Sequence, residues 1–392
     1  MKKRTLASCC AVHTLHDGLS DVTYVLLPLL ASAFGLSLAQ VGLIRSAHRA
    51  AMAAFQIPAG LAAERFGERF PLALGTLLAG GAFIALGYAP GFRAILAALF
   101  LAGVGSAVQH PLCSTIISHA YPAEGRRAAL GTYNFAGDVG KFAFGGIASL
   151  LLLAGIPWQA PVVGFGVAAV VTALAVLALV ADSRSAPPAP AHSAPAKETS
   201  RWGIRDRQGF AALCLIEILD SSTRTGFLTF IAFLLIAKGL PEGWAAAAVP
   251  LVLVGGMTGK LACGFLAERL GIVRMIVITE LATGCGIVSA LALPSIAVFL
   301  LLPLLGLVLQ GTSSVLYATI GEYVEQDRLS RAFGLFYTVG SLCGIAAPLG
   351  YGLLGDRYGV EAVIAVLGSA VLLTIPLAML LRPASDSRLR SV

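Results

Sequence analysis

Charged side chains are scarce in this sequence, and their scarcity limits what the chain can be. Only 12% of the 392 residues are charged, while 57% are hydrophobic and the mean hydropathy is +0.86. Soluble domains carry roughly 25% charged residues, so a soluble multidomain enzyme of this composition is excluded. The composition predicts an all-α polytopic membrane protein whose spans are about 20 residues long.

The sequence also lacks the residue groupings of enzymes and of nucleotide-binding proteins. Its seven cysteines have no metal-ligand spacing, and there is no Walker phosphate loop, HExxH motif or Ser/His/Asp grouping. The net charge of +7 is spread over short loops and forms no basic patch. We therefore expect no enzymatic activity, no catalytic residues, no cofactor, no bound metal and no nucleic-acid partner.

Long apolar runs are what the sequence has in abundance. Twelve of them could cross a bilayer, in two sets of six. The first set lies near 8–33, 41–62, 71–89, 94–118, 128–154 and 160–181, and the second near 209–236, 245–266, 273–293, 297–321, 332–354 and 361–381. A Pro/Ala/Ser-rich stretch separates the sets. We predict an N-terminal half (1–181), a cytoplasmic linker (182–208), a C-terminal half (209–381) and a cytoplasmic tail (382–392).

The distribution of Lys and Arg predicts the orientation of the spans. With both termini inside, the inner segments contain nineteen of these residues and the outer loops contain three. Inner loops of membrane proteins carry the excess of positive charge. The apolar run after Lys2-Lys3-Arg4 has no convincing cleavage site, so the first span is retained. We expect a multi-pass protein of the inner (plasma) membrane with both termini in the cytoplasm.

A sequence repeat relates the two halves. Gly60-Leu-Ala-Ala-Glu-Arg-Phe-Gly67 recurs 204 residues later as Gly264-Phe-Leu-Ala-Glu-Arg-Leu-Gly271, each time at the end of an even-numbered span. Two six-helix halves repeated in parallel orientation are typical of secondary transporters, whose substrate site lies where the halves meet. The repeat therefore predicts a transporter that works by alternating access.

These features resemble the major facilitator superfamily. Its loop signature, Gly-x-x-x-Asp-Arg-x-Gly-Arg/Lys-Arg/Lys, reads here Gly60, Glu64, Arg65, Gly67, Glu68 and Arg69. Glu replaces Asp at the fifth position, and Glu68 replaces a base. The resemblance covers the whole chain and implies the fold of that family, with 12 transmembrane helices in two six-helix pseudo-repeats. The segments His16-Asp-Gly-Leu-Ser-Asp21 and Gln109-His110-Pro111 also resemble the fosmidomycin-resistance-type efflux branch.

The repeated segments are candidate gating loops. A helix-end Glu can accept hydrogen bonds from N–H groups of a neighbouring helix N-terminus, the arginines can pair with inner carboxylates, and the glycines allow a tight turn. Such contacts would hold the inner ends of the helices together. The alternative is ordinary turn chemistry of positively charged inner loops. The candidates are Gly60, Glu64, Arg65, Gly67, Arg69, Gly264, Glu268 and Arg269.

Ionisable residues inside the spans require an explanation, because a charge at the bilayer centre costs at least about 2.5 kcal/mol. The first span carries a polar stripe of His13, His16, Asp17, Ser20, Asp21 and Tyr24. The seventh span repeats this stripe 204 residues later. Carboxyl groups in a poorly solvated cavity can exchange protons near neutral pH. The proton-coupling candidates are Asp17, Asp21, Asp138, Glu217 and Asp220, with His13 and His16 as relays.

Cationic and polar side chains in the spans predict binding of an anion. A carboxylate, phosphate or phosphonate suits the substrate-binding candidates Arg49, His110, Asn134, Lys141, Arg224 and Tyr24. The alternative is that each acid simply pairs with a base, as Asp138 and Lys141 could along one helix. Arg45 lies near the outer end of its span, where it could extend to the outer surface, and the alternative to a cavity role is that it is structural. Glu280 and Lys260 are interpreted as structural.

The predicted function is proton-coupled efflux of a small anionic or amphipathic compound. Spaced glycines in the fifth span resemble an antiporter pattern, although that pattern's proline is absent. The alternative is proton-coupled uptake (symport) of a small organic anion. The expected partners are a small-molecule substrate, protons and the lipid bilayer, and the protein is expected to be a monomer.

Overall fold

The computed structural model describes residues 2–121, 123–180, 203–325 and 329–381, and these ranges form fifteen helices. In chain order the helices are α1 (Lys2–Phe34), α2 (Leu38–Phe66), α3 (Arg69–Gly87), α4 (Phe92–Ser106), α5 (Gln109–Ala120), α6 (Ala123–Leu153), α7 (Gln159–Leu179), α8 (Arg207–Ala237), α9 (Glu242–Ala246), α10 (Ala248–Leu270), α11 (Ile272–Ala292), α12 (Ser295–Tyr323), α13 (Leu329–Tyr358), α14 (Val360–Val371) and α15 (Thr374–Ala378). The predicted tail and most of the predicted linker, up to residue 202, lie outside the described residues.

The apolar runs fold as helices, which confirms the prediction of an all-α membrane protein. Within the described ranges, nine helical segments are long and apolar enough to cross a membrane, or ten if the bent segment of α9 and α10 is one span. Helices α1 and α2 are not among these segments. Both carry several ionisable residues in their interiors, such as Asp17 and Arg49, which lower their hydropathy. The count of twelve spans stays a prediction.

Glycines in the left-handed region end two equivalent helices. Gly67 follows α2 with φ of 77°, and Gly271 follows α10 with φ of 85°. Residues with a Cβ rarely adopt this conformation, which explains why the repeat has glycine at both positions.

At the start of α8 the Asp206 carboxylate accepts hydrogen bonds from the N–H groups of Gln208 and Gly209, both at 3.0 Å.

Three of the predicted spans contain a short turn. The span predicted at 94–118 contains α4 and α5, and Ala107 and Val108 between them keep helical backbone angles, so the two helices continue as one segment. Pro111 lies in the first turn of α5 and has no N–H to donate to the carbonyl of Ala107, four residues earlier. His110 lies in the same turn, beside Asp17 of α1. The spans predicted at 245–266 and 361–381 contain α9 with α10 and α14 with α15, respectively.

The helices group into two units that are described separately. The first consists of α1–α7 together with Pro241–Pro250, and α8 and the chain from Leu251 onward belong to the second. In the first unit α1 packs against α6, α3 against α7, and α2 against α4. In the second, α8 packs against α13 and α14, and α11 packs against α12 and α14. The α1–α6 interface positions the first candidate site.

Candidate functional site

A cluster of ionisable side chains surrounds Asp17 in the first unit. Asp17 Oδ2 lies 3.2 Å from Lys141 Nζ on α6 and 3.3 Å from His13 Nε2, and Asp17 Oδ1 lies 3.7 Å from His110 Nε2 on α5. Lys141 Nζ is also 3.2 Å from Asp138 Oδ1. The Asp138–Lys141 pair is therefore present, but the same ammonium reaches a second carboxylate on another helix. We call these five residues the Asp17 cluster.

The Asp17 cluster is open on its cationic side. The side chains of Lys141 and His110 are 28% and 43% exposed, whereas that of Asp17 is 11% exposed. An ammonium and an imidazole are thus accessible, while the carboxylate behind them is nearly enclosed. This arrangement can bind a small anion through Lys141 and His110.

The contacts of His13 determine which of its ring nitrogens carries a hydrogen. His13 Nδ1 lies 2.7 Å from the carbonyl oxygen of Tyr133 on α6, and a carbonyl only accepts. Nδ1 therefore carries a hydrogen, and Nε2 faces the Asp17 carboxylate at 3.3 Å. An attractive contact on that side needs a second hydrogen, either on Nε2 or on the carboxyl group. The pair therefore has a place for one exchangeable proton.

Two glycines of α6 make this contact possible. A Cβ at Gly137 would overlap His13 and Asp17, and a Cβ at Gly140 would overlap the backbone of Thr14. Small residues let the backbones of membrane helices approach closely. Two of the spaced glycines that resemble an antiporter pattern, Gly137 and Gly140, therefore have a role in packing α6 against α1.

The same cluster has the donor set of a metal site. The ligand atoms of His13, Asp17 and His110 lie within 4.8 Å of one another. The hydrogen bond from His13 Nδ1 to a carbonyl is also common among metal-bound histidines. However, the Lys141 ammonium is already within 3.2 Å of Asp17 and would have to leave before a metal could bind. The arrangement therefore fits proton and anion chemistry more directly than metal binding.

Asp21 and Tyr24 meet Arg45 in a separate arrangement. Arg45 Nη2 lies 3.3 Å from Asp21 Oδ1, and Arg45 Nη1 donates to Thr23 Oγ1 and to the carbonyl of Ser20, both at 2.8 Å. The guanidinium lies 3.7 Å from the centre of the Tyr24 ring. Arg45 is 1% exposed, so the interpretation that it extends to the outer surface is wrong.

The remaining candidates of the first unit are His16, Arg49 and Asn134, of which Arg49 and His16 interact electrostatically with members of the Asp17 cluster. His16 is buried between helices, with Nδ1 3.1 Å from Ser106 Oγ and Nε2 2.9 Å from Thr76 Oγ1. These hydroxyls, on α4 and α3, make His16 part of the helix packing. Arg49 is half-buried on α2, and Asn134 is exposed on α6. The polar stripe of α1 thus faces several different neighbours.

The second unit contains its own acidic group on α8. Glu217 and Asp220 are each 2% exposed, and Asp220 Oδ2 lies 3.5 Å from Arg224 Nη1. Glu217 packs so closely on Gly340 of α13 that a Cβ there would lie 2.5 Å from its Oε1. Glu280 on α11, interpreted from the sequence as structural, is 1% exposed and acts electrostatically on these acids. The sequence feature that distinguishes Glu280 is that it is a single Glu in an otherwise apolar span.

Half of the candidate gating residues are exposed, namely Glu64, Arg65, Glu268 and Arg269. Among described residues, Glu64, Glu268 and Arg269 have no ion pair or hydrogen bond through their side chains, and Arg65 lies over the ring of the adjacent Phe66. Arg69 donates to the carbonyl of Leu177 at the end of α7, rather than to the predicted carboxylate. The inter-helix contacts of the first loop thus come from its last residues. A Cβ added at Gly60 or Gly264 would contact no atom of the described residues within 4 Å, so close packing does not require glycine at these positions.

Comparisons with known proteins cover nearly the whole chain. The model of the Major Facilitator Superfamily matches residues 9–348 and, in a second match, 213–391. An uncharacterised MFS-type transporter, YfnC of Bacillus subtilis (strain 168), is 27% identical over 96% of this chain and 92% of its own length. The 3-(3-hydroxy-phenyl)propionate transporter of Escherichia coli (strain K12) is 25% identical over 91% of this chain and 90% of its own length.

Two further relatives match over shorter stretches. The 4-hydroxybenzoate transporter PcaK of Acinetobacter baylyi is 28% identical over 39% of this chain, a match that spans 34% of that protein. The fosmidomycin resistance protein of Escherichia coli (strain K12) is 30% identical over 26% of each chain. The second match agrees with the resemblance seen in the sequence.

Solved structures share the fold. A bacterial homolog of the human lysosomal transporter Spinster, in an inward-facing and occupied conformation, superposes with a TM-score of 0.76. It is 19% identical, and the match covers 98% of this chain and 96% of that one. At this identity the similarity establishes the fold.

Proposed function

The chain belongs to the Major Facilitator Superfamily and is a multi-pass membrane transporter, and on that premise we propose that it moves a small organic anion by alternating access, driven by a proton gradient. The observation that carries the proposal is Lys141, a partly exposed ammonium held 3.2 Å from each of two carboxylates. The proposal places the protein in the inner (plasma) membrane with both termini in the cytoplasm.

Proton binding and anion binding would assist each other at Lys141. A proton on Asp17 removes one of the two carboxylates that hold the ammonium, so Lys141 becomes available to an incoming anion. Conversely, an anion that draws Lys141 away leaves Asp17 without its cation and favours protonation. Such linkage is reciprocal by thermodynamic necessity. A proton and an anion that stabilise each other on the protein cross together, which is symport and corresponds to the uptake alternative.

The substrate class that fits this site is an aromatic carboxylate. Two relatives are named as transporters of 4-hydroxybenzoate and of 3-(3-hydroxyphenyl)propionate, both aromatic carboxylates. The carboxylate would pair with Lys141, and the exposed imidazole of His110 would contact the ring or donate to the anion. The His110 ring already packs edge-on against His13, with centroids 5.1 Å apart.

Export is the second candidate, and it was the leading prediction from the sequence. The match to a fosmidomycin resistance protein favours it, since resistance is commonly achieved by efflux. The spaced glycines of α6 support it less, because Gly137 and Gly140 are needed for packing against α1. For export, a proton and the substrate would have to exclude each other, which requires a different role for Lys141.

Transport by purified protein in liposomes tests the proposed function. With labelled 4-hydroxybenzoate and 3-(3-hydroxyphenyl)propionate as probes, an acidic exterior is expected to drive accumulation of at least one above its equilibrium level. Asp17→Asn should keep exchange but lose the accumulation, because its side chain cannot release a proton. Lys141→Gln should lose both. Glu361→Gln, on the exposed first turn of α14, is the matched control.

Coupling through these acids is contradicted if Asp17→Asn and Asp220→Asn both accumulate the probes as the wild type does. Accumulation driven only by an acidic interior would instead support export. Both outcomes are read from the same vesicles, with the orientation of the protein established by protease accessibility.

A further inference from the structure

Glu280 is a fully enclosed carboxyl group with no compensating contact. It is the sole acidic residue of α11, its side chain is 1% exposed, and neither carboxyl oxygen has a hydrogen-bond partner among the described residues. Burying an ionised carboxylate without a partner is very unfavourable, so such a group either pairs with a cation or takes up a proton.

The charged groups that act on Glu280 come from α8. They are the carboxylates of Asp220 and Glu217 and the guanidinium of Arg224. Arg224 lies beside Asp220, at 3.5 Å. One guanidinium therefore interacts electrostatically with three carboxyl groups, and full ionisation of the four groups would leave a net charge of −2 in this part of the second unit.

Helices α12, α14 and α15, which pack against α11, supply no cation. In α14 and α15 the sole ionisable residue is Glu361, which lies in the exposed first turn of α14. From α12 the neighbour is the hydroxyl group of Thr312. Among the described residues, Arg224 is the cation that acts electrostatically on Glu280.

Two hydroxyl groups near Glu280 donate to other acceptors. Thr279 Oγ1 donates to the carbonyl of Met275 at 2.9 Å, and Thr312 Oγ1 donates to Thr279 Oγ1 at 2.8 Å. The hydrogen of Thr312 is therefore already used, and its oxygen can only accept. A hydrogen bond between Glu280 and Thr312 requires the carboxyl group of Glu280 to supply the hydrogen.

We propose that Glu280, with Asp220 and Glu217, forms a proton-binding site in the second unit, and that Glu280 holds a proton and donates it toward Thr312. This site is separate from the Asp17 cluster, which belongs to the first unit. Only its use in transport depends on the proton-coupled function proposed above. Its protonation can be measured without any substrate.

Infrared difference spectroscopy of the purified full chain tests the proposal directly. Between neutral and alkaline pH, the wild type is expected to lose a carbonyl stretching band of a protonated carboxyl group, and that band should shift in D2O. Glu280→Gln should lack this band, whereas Glu361→Gln, the exposed control, should keep it. If Glu280→Gln does not fold, Glu280→Asp serves instead and should shift the band.

Thermal unfolding over the same pH range gives an independent readout. Deprotonation of Glu280 leaves a buried charge, so the melting temperature of the wild type should fall as the pH rises. Glu280→Gln carries a neutral side chain of the same shape and should show less of this fall. An infrared band that is unchanged in Glu280→Gln or Glu280→Asp would overturn the proposal. A second result would also overturn the proposal: Na⁺ raises the melting temperature of the wild type, choline does not, and Glu280→Gln abolishes the rise. The site would then hold a metal cation instead of a proton.

Discussion

Several buried ionisable residues of the first unit are compensated by specific neighbours, and Arg45 is the clearest case. Its guanidinium contacts a carboxylate, a hydroxyl, a carbonyl and an aromatic face. An arginine presents a planar set of donors that can meet several acceptors at once, which lysine cannot reproduce. Arg45 therefore connects α2 to α1, and we expect it to contribute to stability more than to substrate binding.

Replacing Arg45 should destabilise the protein strongly. Arg45→Met leaves the partly buried carboxylate of Asp21 without this cation, and loss of a buried partner costs up to about 3–5 kcal/mol. The free energy of unfolding, measured by chemical denaturation in detergent, should fall by that amount. The double variant Arg45→Met/Asp21→Asn should recover much of the loss, because neither charge is then left alone.

The exposed Arg65 provides the matched control for this prediction. Arg65→Met should change the free energy of unfolding by no more than about 0.5 kcal/mol, as expected for a surface residue. Equal losses for the two arginine variants would contradict the compensation described for Arg45.

The sequence predicts the polar residues of α1 but not their individual neighbours. Helical spacing places His13, His16 and Asp17 on one stripe, and that stripe exists. A single-helix pattern cannot tell which other helix each position faces. As a result His16, which hydrogen-bonds to Ser106 and Thr76, could not be separated from His13, which contacts Asp17.

At the scale of elements, the approach of α1 and α6 determines the Asp17 cluster. Gly137 and Gly140 let the helices come close enough for Lys141 to reach Asp17. Thr14 adds a hydrogen bond across the same interface, from Oγ1 to the carbonyl of Ala136 at 2.9 Å. The geometry of the cluster is thus a property of the helix pair.

Adding a methyl group at Gly140 should separate this pair. Gly140→Ala would place a Cβ against the backbone of Thr14, and overpacking of this kind costs about 1–3 kcal/mol. Gly146→Ala, on the same helix with open space around it, is the control and should be as stable as the wild type or slightly more stable. Unfolding of both variants in detergent gives the comparison, and equal stability of the two would contradict close packing at Gly140.

The helices themselves follow from the apolar runs, but their interruptions do not. Hydropathy stays high across Ala107 and Val108, so nothing in the apolar pattern marks the end of α4 and the start of α5. The sequence signal is instead Pro111, which cannot donate a hydrogen bond to the carbonyl of Ala107, four residues earlier. The turn matters for the site, because His110 lies beside Asp17 in the first turn of α5.

At the scale of the whole molecule, the internal repeat predicts the family and explains equivalent features of the two units. Gly67 and Gly271 adopt the same left-handed conformation 204 residues apart. Glu280 shows the limit of such reasoning. It has no acidic counterpart in the first unit, where position 76 is Thr, so the repeat gave no reason to expect a buried acid there.

The central claim is that a proton and an anion bind in mutual dependence through Asp17 and Lys141. The most direct measurement is proton movement into liposomes that contain a pH-sensitive dye, with no pH gradient at the start and an inward gradient of the aromatic carboxylate that the protein transports. Wild-type protein should acidify the interior as the anion enters, beyond the leak seen in protein-free liposomes, and Asp17→Asn should admit the anion without that acidification. Anion entry without protein-dependent acidification in the wild type, or equal acidification by Asp17→Asn, would contradict the account.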